Sequence, residues 1–137
     1  MEEGVIFLDD GGHILQECEN SFGGLLFETL NTWIQTQVPT GKVRYASSGQ
    51  HLNHKKKLIS LGMSAPDAKV TLTAFNSEAN YIMTEDIDFF DPTLKTANTT
   101  TKRKIILKRG GKIAKHIRKK LGSVCTCAEG YCIEYNL

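Results

Sequence analysis

Three carboxylates, Glu17, Asp67 and Asp86, stand where an α/β chain can gather chemistry. Glu17 follows the apolar run "GVIFLD" and its glycine turn, and Asp67 opens a predicted helix. Asp86 ends a predicted strand in "YIMTEDIDFFDP", where Glu85, Asp86, Asp88 and Asp91 crowd together. Carboxylate oxygens are the ligands a hard cation such as Mg²⁺ or Mn²⁺ takes. Such an ion activates water and offsets phosphate charge in phosphodiester cleavage. Each acid also has a plain structural use. Asp67 fits a Ser-x-x-Asp helix cap with Ser64, Glu17 a solvated helix face, and Asp86 a turn. Asp9 and Asp10, before two glycines, read as turn chemistry. Metal chemistry therefore requires Glu17, Asp67 and Asp86 to converge. In that arrangement Phe89 or Phe90 anchors the loop, and Glu85 and Asp88 are peripheral.

A second set of residues is basic. The net charge of +2 conceals a split along the chain. Residues 1–91 hold 13 acidic and 6 basic side chains, and residues 92–137 hold 2 acidic and 11 basic ones. Near 111–121 an amphipathic pattern puts Ile113, Ile117 and Leu121 on one face and Lys112, Lys115, Arg118 and Lys119 on another. A cationic helix face suits a phosphate backbone. It equally suits a solvated face balancing the acidic half. No aromatic residues interleave with these charges, so base stacking is not indicated there.

Cys125, Cys127 and Cys132 have C-x-C-x₄-C spacing, unlike the paired C-x₂-C of structural zinc sites, and read as structural cysteines. His51 and His54 in "HLNHKKK" lack a third ligand and read as a solvated loop. The acidic "MEEG" start carries no secretory signal pattern. No run of 18 apolar residues exists to span a membrane. With four cysteines and no signal, a reduced cytoplasmic setting is expected.

The elements that must position these groups can be read from periodicity. "GVIFLD" reads as a strand, and "HILQECENSF" as a turn of helix. Apolar residues from Phe22 to Val38 recur at helical spacing up to Pro39 and Gly41. "KVRYASSGQ" reads as a loop or weak strand, and "HLNHKKKLISLG" as a short helix. Residues 64–79 read as a helix capped by Ser64, with Ala68, Leu72, Phe75 and Ala79 on one face. "NYIMTED" reads as a strand, residues 92–101 as a loop, "KRKIILKRGG" as a brief strand or turn, and "SVCTC" as a last strand. Length and order predict one α/β domain over 1–137 with a parallel sheet.

The segment "LISLGMSAPDAKVTLTAFNSEANYIMTEDIDFF" resembles the second half of a PIN-like nuclease domain. Asp67 opens the helix, Ala74 and Ala79 supply small residues, and Thr84, Asp86 and Phe89 close the strand motif. "VIFLDDGGHILQECEN" is similar to the preceding strand and turn, with Glu17 as its acid. "LGSVCTCAEGYCIEYNL" resembles the family's last strand and closing segment. The resemblance implies a three-layer sandwich with a mainly parallel central sheet. It also implies a Mg²⁺- or Mn²⁺-dependent endoribonuclease that handles RNA, with Glu17, Asp67 and Asp86 as catalytic, metal-binding acids. The family begins with a further strand bearing a first Asp, which has no counterpart before Gly4. The resemblance then implies an N-terminally truncated domain, a homodimer or partner chain that completes the sheet, or an inactive nucleic-acid- or protein-binding relative.

Overall fold

The computed structural model describes residues 4–136, with Ser21 and Phe22 described by their backbone alone. Strand β1 (Ile6–Asp9) leads through a turn into helix α1 (His13–Phe22). The turn is built by Asp9, which is buried. Its Oδ2 and Oδ1 accept the backbone N–H groups of His13 and Ile14, each at 2.7 Å. These are two of the donors a helix start leaves unpaired, so Asp9 does the turn chemistry expected of it.

Helix α2 (Gly24–Gln37) begins after Gly23, whose φ of 70° breaks the chain direction. The apolar repeat from Phe22 therefore splits, and Phe22 ends α1 instead of opening the next helix. Only part of the α2 stripe is covered: Ile34 is 2% exposed, but Leu25 and Leu26 are 79% and 66% exposed. After a 3-10 turn at Val38–Thr40, strand β2 (Val43–Ala46) pairs in parallel with β1, Ile6 opposite Val43.

Helices α3 (Leu52–Ser60) and α4 (Ala65–Ser77) come next. Ser64 caps α4 as predicted, its Oγ accepting the N–H of Asp67 at 3.3 Å. Ala68, Thr71, Leu72, Thr73 and Ala74 are all buried, more of the helix than a single apolar face would cover. A helix buried on several sides is a core helix, not a surface one. It packs against β1, β2, β3 and α3.

Strand β3 (Tyr81–Met83) pairs in parallel with β4 (Val124–Thr126), Ile82 opposite Cys125. Between them lie 3-10 turns at Ile87–Phe89 and Pro92–Leu94, helix α5 (Thr99–Leu107), and helix α6 (Lys112–His116), which runs into a π turn at Ile117–Leu121. Helix α7 (Ala128–Tyr135) closes the chain.

The fold is thus mixed α/β with parallel strand pairs. The pairing gives two separate two-stranded sheets among the described residues, not one continuous central sheet. Each pair has its own apolar cluster. Leu8, Ile34 and Val43 form the smaller. The larger gathers α3, α4, β3, α5, α6 and β4 around Leu58, Ile82, Phe90, Ile113 and Ile117.

The segment expected as loop and then strand or turn, from residue 92 to 111, contains helix α5. Asn98 starts it, its Oδ1 accepting the N–H of Thr101 at 2.8 Å. Three threonines favour strand by propensity, but the cap and the burial of Ile106 against the core prevail. Cys125 and Cys127 are core residues, as their alternation suggested.

Candidate metal centre

Asp67 reaches the site from the first turn of α4, and Asp86 from the backbone that leaves β3. Beyond Asp86 the chain turns at once. The Asp86 side chain accepts the N–H of Asp88 at 2.9 Å, and Ile87 and Phe89 bury themselves behind the turn. Phe90 is fully buried, so the anchoring expected of this phenylalanine pair is present in both residues. The tight turn brings Asp88 round beside Asp86. Ligand oxygens of Asp67, Asp86 and Asp88 then lie within 4.8 Å of one another.

Asp88 is therefore not peripheral, contrary to the expectation for "TEDIDFF". The sequence signal for it was the Asp-x-Asp spacing: an Asp that caps the N–H two residues on folds the second Asp back beside the first. Glu85 has no place in the group. Glu17 is exposed on α1 and lies outside the trio. Its charge is nonetheless felt at Asp67.

Burial first, and then the charges of Asp86, Asp88 and Glu17, hold the Asp67 carboxyl above its ordinary range. A hydrogen bond with Ser64 pulls the other way. Asp88 Oδ1 is buried without a hydrogen-bond partner, while its Oδ2 lies 3.7 Å from Lys95 Nζ. A buried carboxylate oxygen left unpaired is costly. The donor set fits a divalent cation on three counts: it is all oxygen, it has an orphaned lone-pair site, and its span is close to that of one ion with ligand bonds of ~2.0–2.6 Å. Asp67, Asp86 and Asp88 are the residues that would hold it.

A groove of about 330 Å³ opens beside Asp86. Glu85, Asp86 and Ile87 form one wall, and Thr99, Lys102, Arg103 and Ile106 of α5 form the other. Carboxylates thus face cations across a cleft. Arg103 is tied to Glu129 of α7. Lys102 makes no ion pair among the described residues.

The basic helix is joined to this loop. Phe90 O accepts the N–H groups of Ile113 at 3.0 Å and Ala114 at 3.4 Å. Ile113, Ile117 and Leu121 are buried as expected, and Lys112, Lys115, Arg118 and Lys119 are exposed. Those four cations make no ion pair among the described residues, so they do not balance the acidic half by direct contact. Cys127 Sγ accepts the N–H of Gly130 at 3.3 Å and caps α7, while Cys132 is exposed.

No protein family, curated protein or solved structure matches the chain. No helix among the described residues is long and apolar enough to cross a membrane.

Proposed function

We propose that the chain is a PIN-like, RNA-handling domain that acts as a Mg²⁺- or Mn²⁺-dependent endoribonuclease. The observation that carries this reading is the convergence of Asp67, Asp86 and Asp88 from two separated elements within 4.8 Å, next to a cation-lined groove. A divalent ion held there supplies an activated water and offsets charge on the scissile phosphate. The chain's own residues have three tasks. Asp67, Asp86 and Asp88 hold the ion, Glu17 adds negative potential, and Lys102 with Thr99 receives the phosphate backbone in the groove. The exposed Lys112, Lys115, Arg118 and Lys119 bind further phosphates without reading sequence.

A PIN-like sandwich would need a further strand to join the two strand pairs into one sheet, and we propose that a homodimer or a partner chain supplies it. Ile6 and Met83, 47% and 53% exposed, are strand residues that such a partner would cover. Four free cysteines suit a reduced cytoplasmic setting. The second reading, a binding module without catalysis, is favoured by the exposed, unpaired cations alone.

The test is a cleavage assay on mixed-sequence RNA with Mn²⁺ or EDTA, run beside melting curves in both. Metal-dependent cleavage that Asp86→Asn and Asp88→Asn abolish supports the nuclease. A Mn²⁺ melting shift without cleavage favours the binding module. No shift and no cleavage removes the metal from the proposal.

A further inference from the structure

Helix α2 carries a single charged residue, Glu28, in a chain that is 23% charged. At 3.6 residues per turn, Leu25, Thr29, Trp33, Leu26 and Leu30 fall within roughly 140° of one another, and Glu28 falls on the far side of the helix. Leu30, at one margin of this face, packs against the small cluster of Leu8, Ile34 and Val43. The rest is open among the described residues: Leu25, Leu26 and Trp33 are 79%, 66% and 44% exposed. A surface helix ordinarily turns its apolar stripe to the core and its polar residues to water. Here apolar residues also point outward.

The hydroxyls on this side of α2 are turned back on the helix itself. Thr29 Oγ1 donates to Leu25 O at 3.0 Å, and Thr36 Oγ1 donates to Trp33 O at 2.7 Å. With both donors engaged, the face offers chiefly methyl groups and rings. An exposed apolar patch of this kind marks a contact with another protein surface. It has no charge with which to select a phosphate backbone or a charged peptide.

The order of side chains along the face fits the face itself. Thr29 is the smallest of the group and stands four residues from Leu25 and four from Trp33. A two-fold axis beside Thr29 sets two copies of α2 antiparallel and lays Trp33 of each copy over Leu25 and Leu26 of the other. Thr29 at the crossing allows the axes to approach to the ~8–10 Å of packed helices. An isologous pair needs a self-complementary surface, and a face without charge does not repel its own copy. Leu25, Leu26 and Trp33 offer roughly 350 Å² per copy at their exposures, or roughly 700 Å² for the pair. With a polar rim this reaches the ~1,000 Å² of a specific but weak interface, well short of the ~2,000 Å² and more of obligate dimers.

We infer that the outer face of α2 is the interface of a reversible homodimer, in which two α2 helices cross antiparallel at Thr29 and Trp33 of each copy packs on Leu25 of the other. The pairing depends neither on the metal site nor on the strand proposed to complete the sheet.

The experiment is sedimentation velocity on the full chain from about 1 to about 500 µM. The wild type should pass from monomer to dimer with a Kd of ~10–100 µM. Trp33 is the chain's single tryptophan, so its emission should shift to the blue over the same range as the ring leaves water. Leu25→Glu and Trp33→Lys, each alone, should weaken dimerisation at least ten-fold, because each buries a charge against an apolar side chain. Mixed in equal amounts they should form a heterodimer with near wild-type affinity, since the antiparallel crossing sets Glu at 25 against Lys at 33. Leu26→Glu should weaken dimerisation as Leu25→Glu does. It serves as the second disrupting variant if either of the others melts more than a few degrees below wild type at 1 µM, where all are monomers.

A wild type that stays monomeric up to 500 µM would overturn the inference and leave the face to a foreign partner. A dimer that Leu25→Glu and Leu26→Glu leave intact would overturn it too, and would place self-association on another surface, the open strand edges included. Failure of the mixed pair to associate would overturn the antiparallel crossing. RNA cleavage and the Mn²⁺ melting shift report on the acid trio separately, so each reading can fail without the other.

Discussion

Asp86 caps the turn that carries Asp88: its Oδ1 accepts the Asp88 N–H at 2.9 Å, and the two carboxylates then meet Asp67 as one group. Asn can make the same cap, so Asp86→Asn removes a charge and leaves the turn intact. At a Mn²⁺ concentration 100 times Kd the wild type should gain ~2.7 kcal/mol, or ~5–10 °C in Tm. Asp86→Asn and Asp88→Asn should each lose most of that gain, while Glu17→Gln keeps most of it. Equal shifts in all four proteins would place the metal elsewhere.

Asp67 makes the metal-free protein sensitive to pH. Its folded carboxyl is raised, so its contribution to stability is fully present below the ordinary value of 3.8 and is lost as pH rises through the folded value. At neutral pH the ionised group opposes folding. In EDTA, Asp67→Asn should melt higher than wild type at pH 7, and the difference should shrink towards pH 4. A variant that melts lower than wild type throughout would contradict this. Added Mn²⁺ should reverse the ranking at pH 7, because only the wild type keeps the full set of ligands.

The basic helix depends on a close approach at its entry. A Cβ on Gly111 would lie 2.2 Å from Phe90 O, and its φ of 97° disfavours any side chain. Gly111→Ala should destabilise by roughly 3 kcal/mol or more, through backbone clash and strain together. Gly110→Ala, whose Cβ would meet only Ile105 at an ordinary 3.8 Å, should change stability by less than ~1 kcal/mol. Urea denaturation of the pair distinguishes the two effects. A mild Gly111→Ala would mean that α6 does not need its seat on Phe90.

Replacing Lys112, Lys115, Arg118 and Lys119 together by Ala should leave Tm within a few degrees of wild type, because all four are exposed. RNA affinity should fall for all sequences alike, with the salt slope reduced by as much as ~2.8 if each lysine or arginine meets one phosphate. Unchanged affinity in salt titrations would confine RNA binding to other surfaces.

The cysteines should react in a set order. Burial pushes the Cys125 thiol up to about 12, and Cys127 is equally enclosed. Cys132 is exposed. A thiol reagent at pH 8 should label Cys132 first and Cys18 more slowly, since burial and then Glu17 raise the Cys18 thiol. Cys125 and Cys127 should react only on unfolding. Rapid labelling of Cys125 in the native protein would contradict its place in the core.

Local chemistry is what the sequence by itself determined. Ser64 and Asp67 announced the start of α4 because a cap acts within three residues. Ile113, Ile117 and Leu121 announced the inward face of the basic helix because helical spacing is local. A buried anchor at Phe89 or Phe90 and the turn role of Asp9 were legible for the same reason. Tertiary structure decided the rest. Asp88 joins Asp67 and Asp86 only because the Asp86 cap and the buried Ile87 and Phe89 fold the turn back towards α4. Helix α5 forms despite its threonines because Ile106 finds the core. Parallel strands pair across long connections, so nothing in the separate runs could say that β1 meets β2, and β3 meets β4. Leu58 and Ile117 are distant in sequence and belong to one core because α3 and the π turn pack together. Side-chain types and spacing declare what a segment can do alone, while burial against distant partners decides which charges become neighbours.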